Sequence, residues 1–125
     1  PAHPRIRVHG FVQPAELGAL YRSARIFALP SHSEAWGLVV HEAALSGCQL
    51  LLSATIGSRH DFATQMNAAE FPAGDRDALA QAILQLASSD DAALGRAQAE
   101  SLALAATHGP AIFADRVAAI AKKLS

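Results

Sequence analysis

Residues Pro30 to Gly47 read Pro-Ser-His-Ser-Glu-Ala-Trp-Gly-Leu-Val-Val-His-Glu-Ala-Ala-Leu-Ser-Gly, and the fold turns on what this stretch joins. Before it stands the apolar run Ile26-Phe27-Ala28-Leu29, which reads as the end of a buried strand. Within it, Leu38 to Leu45 is an apolar run of helical length, and Gly47 is placed to stop that helix. A strand, a short polar loop and a helix N-terminus in succession make a site for an anion. The first-turn N–H groups have no intrahelical partner, and the helix dipole adds partial positive charge. Two carboxylates, Glu34 and Glu42, stand eight positions apart across that junction.

Outward from this stretch, apolar periodicity supplies the other elements. Arg5 to Val12, with Ile6, Val8, Gly10, Phe11 and Val12, predicts a first strand. Pro14 fits the first helical position, and Leu17, Leu20 and Tyr21 continue a helix to Ala24. Arg25 to Pro30 predicts a second strand buried on both faces, and Gln49 to Ala54 a third. Thr55 to Asp61 reads as a polar loop, Phe62 to Met66 as a helical turn, and Ala69 to Pro72 as a short fourth strand. Asp75 or Asp77 then caps a helix through Ala87, where Leu79, Ile83 and Leu86 mark one face. Helices over about Asp91–Thr107 and Ala111–Leu124 follow, the last with an apolar face of Ile112, Phe113, Val117, Ile120 and Leu124. Strands alternating with helices require crossovers, so the expected class is α/β: a Rossmann-like parallel sheet with flanking helices. Its ligand is expected beyond the strand C-termini, at Phe11-Val12-Gln13, Ser31 to Trp36 and Thr55 to Asp61.

Composition narrows the function. The 125 residues suit one domain able to bury about two-thirds of its extended-chain surface. A hydrophobic fraction of 51% with ten basic against eleven acidic residues describes a soluble globular protein. A net charge of -1 argues against nucleic acid as a partner, which would require a basic stripe. No apolar run approaches the ~18 residues of a membrane span, and no signal peptide is legible. The single Cys48 permits no internal disulfide and fits a reducing, cytoplasmic setting. Because the chain starts at Pro1 with a strand expected soon after, we expect a piece of something longer.

Several chemistries lack their residues. The position that a zinc H-E-x-x-H helix requires after His41-Glu42 holds Leu45. Zinc deaminases need paired cysteines. No G-x-S-x-G elbow, Walker A loop or G-x-G-x-x-G is present. Glu42 is the sharpest signal: it lies about 7 Å along the axis from the helix start and shares a face with Leu38 and Leu45. A carboxylate entering the protein needs hydrogen-bond donors or a cation; sugar or ribose hydroxyls would serve, but the residues alone favour a structural ion pair with Arg59. Ser31-x-x-Glu34 has capping-box spacing, but the apolar helical run begins only at Leu38, which tilts Glu34 toward a loop role. Gly37 lets a ligand approach the backbone, so the N–H groups of Gly37, Leu38 and Val39 are the natural phosphate contacts. His32, His41 and His60 lie near the site and could titrate, although a lone histidine is more often a polar contact than a base. Trp36 reads as a core or loop anchor before a binding platform.

Glu34-Ala-Trp-Gly-Leu-Val-Val-His-Glu42 resembles the E-x7-E motif of retaining glycosyltransferases of the GT-B fold, family 4. The resemblance spans roughly residues 6 to 88. Val8-His9-Gly10-Phe11-Val12 is similar to that family's strand with an internal glycine, and Glu16-Leu17 through Leu20-Tyr21 to the helix that follows. Ile26 to Ser31 is similar to the strand ending in Pro-Ser, and Phe71-Pro72-Ala73-Gly74-Asp75 to the later P-G-D segment.

What the resemblance implies is the donor-binding C-terminal portion of a hexosyltransferase, with a nucleotide-diphosphate sugar as donor. Glu34 would be the catalytic-site carboxylate, contacting donor-sugar hydroxyls, and Glu42 would accept from the ribose hydroxyls. The amides of Gly37, Leu38 and Val39 would hold the diphosphate, and Phe11, Val12 and Gln13 would line the base. Ser31, His32 and Arg59 are further possible contacts. The resemblance implies no metal and no cofactor, since that family does not bind its donor through a metal held by a D-x-D motif. Transfer with retention would proceed by same-face attack without a protein nucleophile. The family's Arg–Lys diphosphate clamp and its N-terminal acceptor-binding domain are not in these residues; any peripheral membrane contact would come through that domain, and the fragment alone is expected to be inactive. Gln49 stands where the family commonly has proline, and Arg59-His60-Asp61 replaces a glycine-rich loop. Two alternatives remain open: a non-catalytic scaffold or binding module of the same fold, and an epimerase-like nucleotide-sugar enzyme.

Overall fold

β2 (Gln49–Ser53) is the centre of the molecule: all five of its residues are buried. The computed structural model describes residues 3–124, without the side chains at 121, 123 and 124. Around β2, in chain order, stand α1 (Pro14–Ser23), β1 (Ile26–Leu29), α2 (Leu38–Leu45), α3 (Arg59–Phe62), β3 (Ala68–Phe71), α4 (Arg76–Ala87), α5 (Asp91–Ala106) and α6 (Pro110–Leu124). The strands run parallel in the order β1-β2-β3, with Leu29 opposite Leu52 and Ser53 opposite Phe71.

Alternation along β2 builds two cores. Leu50 and Leu52 face α2 and α5, packing with Val40, Ala43, Ala44, Phe62 and Ala105. Leu51 faces α4, packing with Phe71, Ala82 and Leu86. Each fully buried leucine contributes about 1.5–3 kcal/mol over its exposed state. The α/β, Rossmann-like expectation therefore holds, and all three strand C-termini point to one end of the sheet.

Four expectations change. Arg5–Val12 forms no strand; its apolar residues lie open, with Val8 85% and Phe11 87% exposed, because no strand pairs with it. β1 is an edge strand, half-buried with Ala28 exposed, rather than covered on both faces. The helical turn expected at Phe62–Met66 lies earlier, as α3, which begins inside the expected Thr55–Asp61 loop and ends at Phe62. There Asn67 Oδ1 accepts from Thr64 N at 2.8 Å, which closes a turn in place of a helix. The pairing of Glu42 with Arg59 is absent, since Arg59 bonds Glu70 instead. The other helices stand where their patterns put them. Asp75 caps α4 by accepting from Ala78 N at 2.9 Å, and Gly47, at φ 79°, follows α2. The apolar residues of α6 from Ile112 to Ile120 are exposed; the expectation for Leu124 falls outside the described side chains.

Candidate functional site

The loop between β1 and α2 is held by the loop that follows β2. Ser53 Oγ and Thr55 Oγ1 both donate to Ser31 O, the latter at 2.8 Å. Gly57 N donates to Glu34 O and Ser58 N to Trp36 O, each at 3.0 Å, and Glu34 pairs with Ile56 in an isolated parallel bridge. Gly57 has no alternative here, because a Cβ would stand 1.9 Å from Ala35 O. The carbonyls of the Glu34 loop thus point into the protein, which fixes the loop from beneath.

The amides where it enters α2 are left free. Gly37 is the N-cap of α2 at φ 84°, and no side chain caps the helix. Among the described residues the N–H groups of Gly37, Leu38 and Val39 have no acceptor, whereas Val40 N donates to Gly37 O at 2.9 Å. The Glu34 side chain lies against this turn: a Cβ on Gly37 would meet Glu34 Cγ at 3.2 Å. Glu34 Oε1 accepts from Trp36 N at 3.3 Å, so no capping box forms. Trp36 is half exposed and sets its indole edge-on to Phe62 at 6.2 Å.

One turn further on, Glu42 faces α1. Tyr21 Oη donates to Glu42 Oε2 at 3.3 Å, and the two residues share a groove of about 270 Å³. Pro14, Leu17, Gly18 and Tyr21 form its α1 wall, while Glu42, Leu45 and Ser46 form the α2 wall. Burial first, then the Glu42 charge, raises the Tyr21 phenol above its ordinary 10.0, so it stays a donor at neutral pH. The arrangement offers amides for a dianion, flanked by one carboxylate at the helix mouth and another in an apolar-walled groove.

The remaining expected residues are dispersed around this loop and helix. Phe11, Val12 and Gln13 lead directly into α1; Phe11 and Gln13 are exposed, and Gln13 O accepts from Leu17 N at 3.1 Å. They adjoin Pro14 at the mouth of the groove. Ser31 donates to Ser33 O at 3.2 Å as part of the clamped loop. His32 turns toward β3, its Cε1 3.2 Å from where a Cβ of Gly74 would stand, in a hollow with Asp75 and Arg76. Arg59 is engaged by Glu70 at 3.3 Å and by Ile56 O at 2.8 Å. His41 Nε2 bonds Ala105 O at 3.0 Å while its ring stacks on Phe62 at 4.9 Å, and His60 is exposed. Among the described residues, no group of three or more His, Cys, Asp or Glu stands together as a metal centre, and no helix is long and apolar enough to cross a membrane. Sequence reasoning missed Tyr21 and Gly18 as groove residues. The signal was present in positions 14, 17, 18 and 21, which share a helical face.

The family model described as glycosyl transferases group 1 matches residues 1–89. Sucrose-phosphate synthase from Thermosynechococcus elongatus is a structural match with a TM-score of 0.84 over 96% of this chain, at 24% identity. The chain spans 30% of that protein's length. A comparison with curated proteins gives no match. At that identity the likeness speaks for the fold, a Rossmann-like α/β portion of the GT-B architecture.

Proposed function

This chain belongs to the glycosyl transferases group 1 family, and we propose that it is the donor-binding portion of a retaining, family 4 glycosyltransferase. The observation that carries the reading is the mouth of α2, where three adjacent amides lack acceptors and the Glu34 side chain lies against Gly37. A diphosphate satisfies those donors and places its charge at the positive end of the helix dipole. The sugar then falls beside Glu34, and the nucleoside runs along α2 toward the groove where Glu42 accepts from ribose hydroxyls. Phe11, Val12 and Gln13, next to Pro14, line the base.

Charge develops on the leaving diphosphate as its bond to the sugar breaks, and oriented donors stabilise it where it develops. Same-face attack by the acceptor hydroxyl retains the anomeric configuration without a protein nucleophile. On this reading the acceptor side and the cationic half of the diphosphate clamp are supplied by another part of the parent protein in the cytoplasm. The 125 residues by themselves transfer no sugar.

Calorimetric titration of UDP-, GDP- and ADP-sugars into the protein and into Glu42→Ala tests the site. One of the three is expected to bind, and Glu42→Ala to weaken it at least about tenfold, the scale of a lost hydrogen bond to a charged group. Unchanged binding by Glu42→Ala, or no binding of any of the three by the unmodified protein, overturns the reading.

A further inference from the structure

Nothing in the donor reading explains why a phenol approaches the Glu42 carboxylate. We propose that Tyr21 is a positioning residue for Glu42, holding Oε2 so that the carboxylate presents its remaining acceptor sites to a vicinal diol in the groove. The proposal rests on the reading of Glu42 as the ribose acceptor.

Three observations carry it. Tyr21 Oη donates to Glu42 Oε2 at 3.3 Å, and a carboxylate has about four lone-pair sites, so one phenol leaves acceptors for two hydroxyls. The ring is itself held, edge-on to Phe27 of β1 at 5.8 Å, and its backbone carbonyl accepts from Cys48 Sγ at 3.3 Å. Tyr21 and Glu42 also line one groove from opposite helices, both half-buried, so the bond holds the carboxylate across the groove toward α1. No other side-chain donor meets Glu42 among the described residues; Ser46 Oγ donates to its backbone carbonyl at 3.0 Å. Without the phenol, a glutamate on one side of an open groove would sample several rotamers, and ordering it would fall to the ligand.

The opposing explanation is that the bond merely ties α1 to α2. The two differ in what a missing ribose diol does. Tyr21→Phe keeps the ring against Phe27, and its unfolding midpoint checks that the fold is intact. UDP, GDP and ADP, each beside its dideoxyribose counterpart, are titrated into the protein, Tyr21→Phe and Glu42→Ala. Tyr21→Phe is expected to weaken the preferred ribonucleotide about fivefold, as for one modest hydrogen bond, and to leave its dideoxy counterpart unchanged. Equal weakening of both nucleotides, or of neither, overturns the proposal. If Glu42→Ala abolishes the preference for ribose while Tyr21→Phe does not, only the role of Tyr21 falls. If Glu42→Ala leaves the preference intact, the reading of Glu42 falls with it.

Discussion

Gly57 and Gly37 both lack a side chain, but for different reasons. At Gly57 the obstacle is a neighbouring carbonyl, 1.9 Å from any Cβ. At Gly37 it is the left-handed backbone, φ 84°, with the Glu34 side chain close by. Gly57→Ala should therefore lower stability by about 2–3 kcal/mol, the upper range for forced overpacking, read from the denaturant midpoint. It should also loosen the Glu34 loop, whose carbonyl accepts from Gly57 N. Titration gives a second expectation at this scale. Burial lifts the Cys48 thiol above 9.0, and burial with the Glu42 charge lifts Tyr21 above 10.0. Both groups hold their protons more tightly folded than unfolded. Their contribution is whole below those ordinary values and is lost as pH rises through the raised ones. The unfolding midpoint should thus fall above pH 9, and Cys48→Ala combined with Tyr21→Phe should flatten that fall. The placement of Glu34, Gly37 and Glu42 on one loop and the helix after it was legible in sequence, because their spacing fixes it. The partner of Glu42 was not: Arg59, the cation the sequence offered, is held by Glu70 and Ile56 O. Tyr21 arrives only through the packing of α1 on α2.

At the scale of elements, local signals succeeded where the segment's own residues close its hydrogen bonds. α4 and α5 are capped by Asp75 and Asp90, each accepting from the N–H three residues on, at 2.9 and 2.7 Å. Asp75→Ala should cost about 1 kcal/mol in a denaturant titration, the typical value of an N-cap, and a loss below a few tenths would remove the cap's assigned role. Those signals failed where an element needs a partner. Arg5–Val12 has a strand's composition, yet a strand is a paired object, and nothing pairs with it among the described residues. The turn at Thr64–Asn67 misled for the opposite reason. Asn67 is fully buried and bonds Thr64 N, Phe62 O and Ser101 Oγ; that network, joining positions far apart in sequence, is invisible to local periodicity.

For the molecule as a whole, parallel topology follows from alternating strands and helices, and it gathers the loops after β1, β2 and β3 at one end. We propose that the mouth of α2, at that end, receives the diphosphate of a nucleotide sugar. Backbone amide NMR during titration with UDP-, GDP- and ADP-sugars tests it most directly, because the amides assigned to the ligand report for themselves. The bound donor should shift the Gly37, Leu38 and Val39 amides most, with smaller shifts along α1 from Ala15 to Tyr21. Binding that leaves those three amides unmoved, or shifts residues elsewhere in their place, would contradict it.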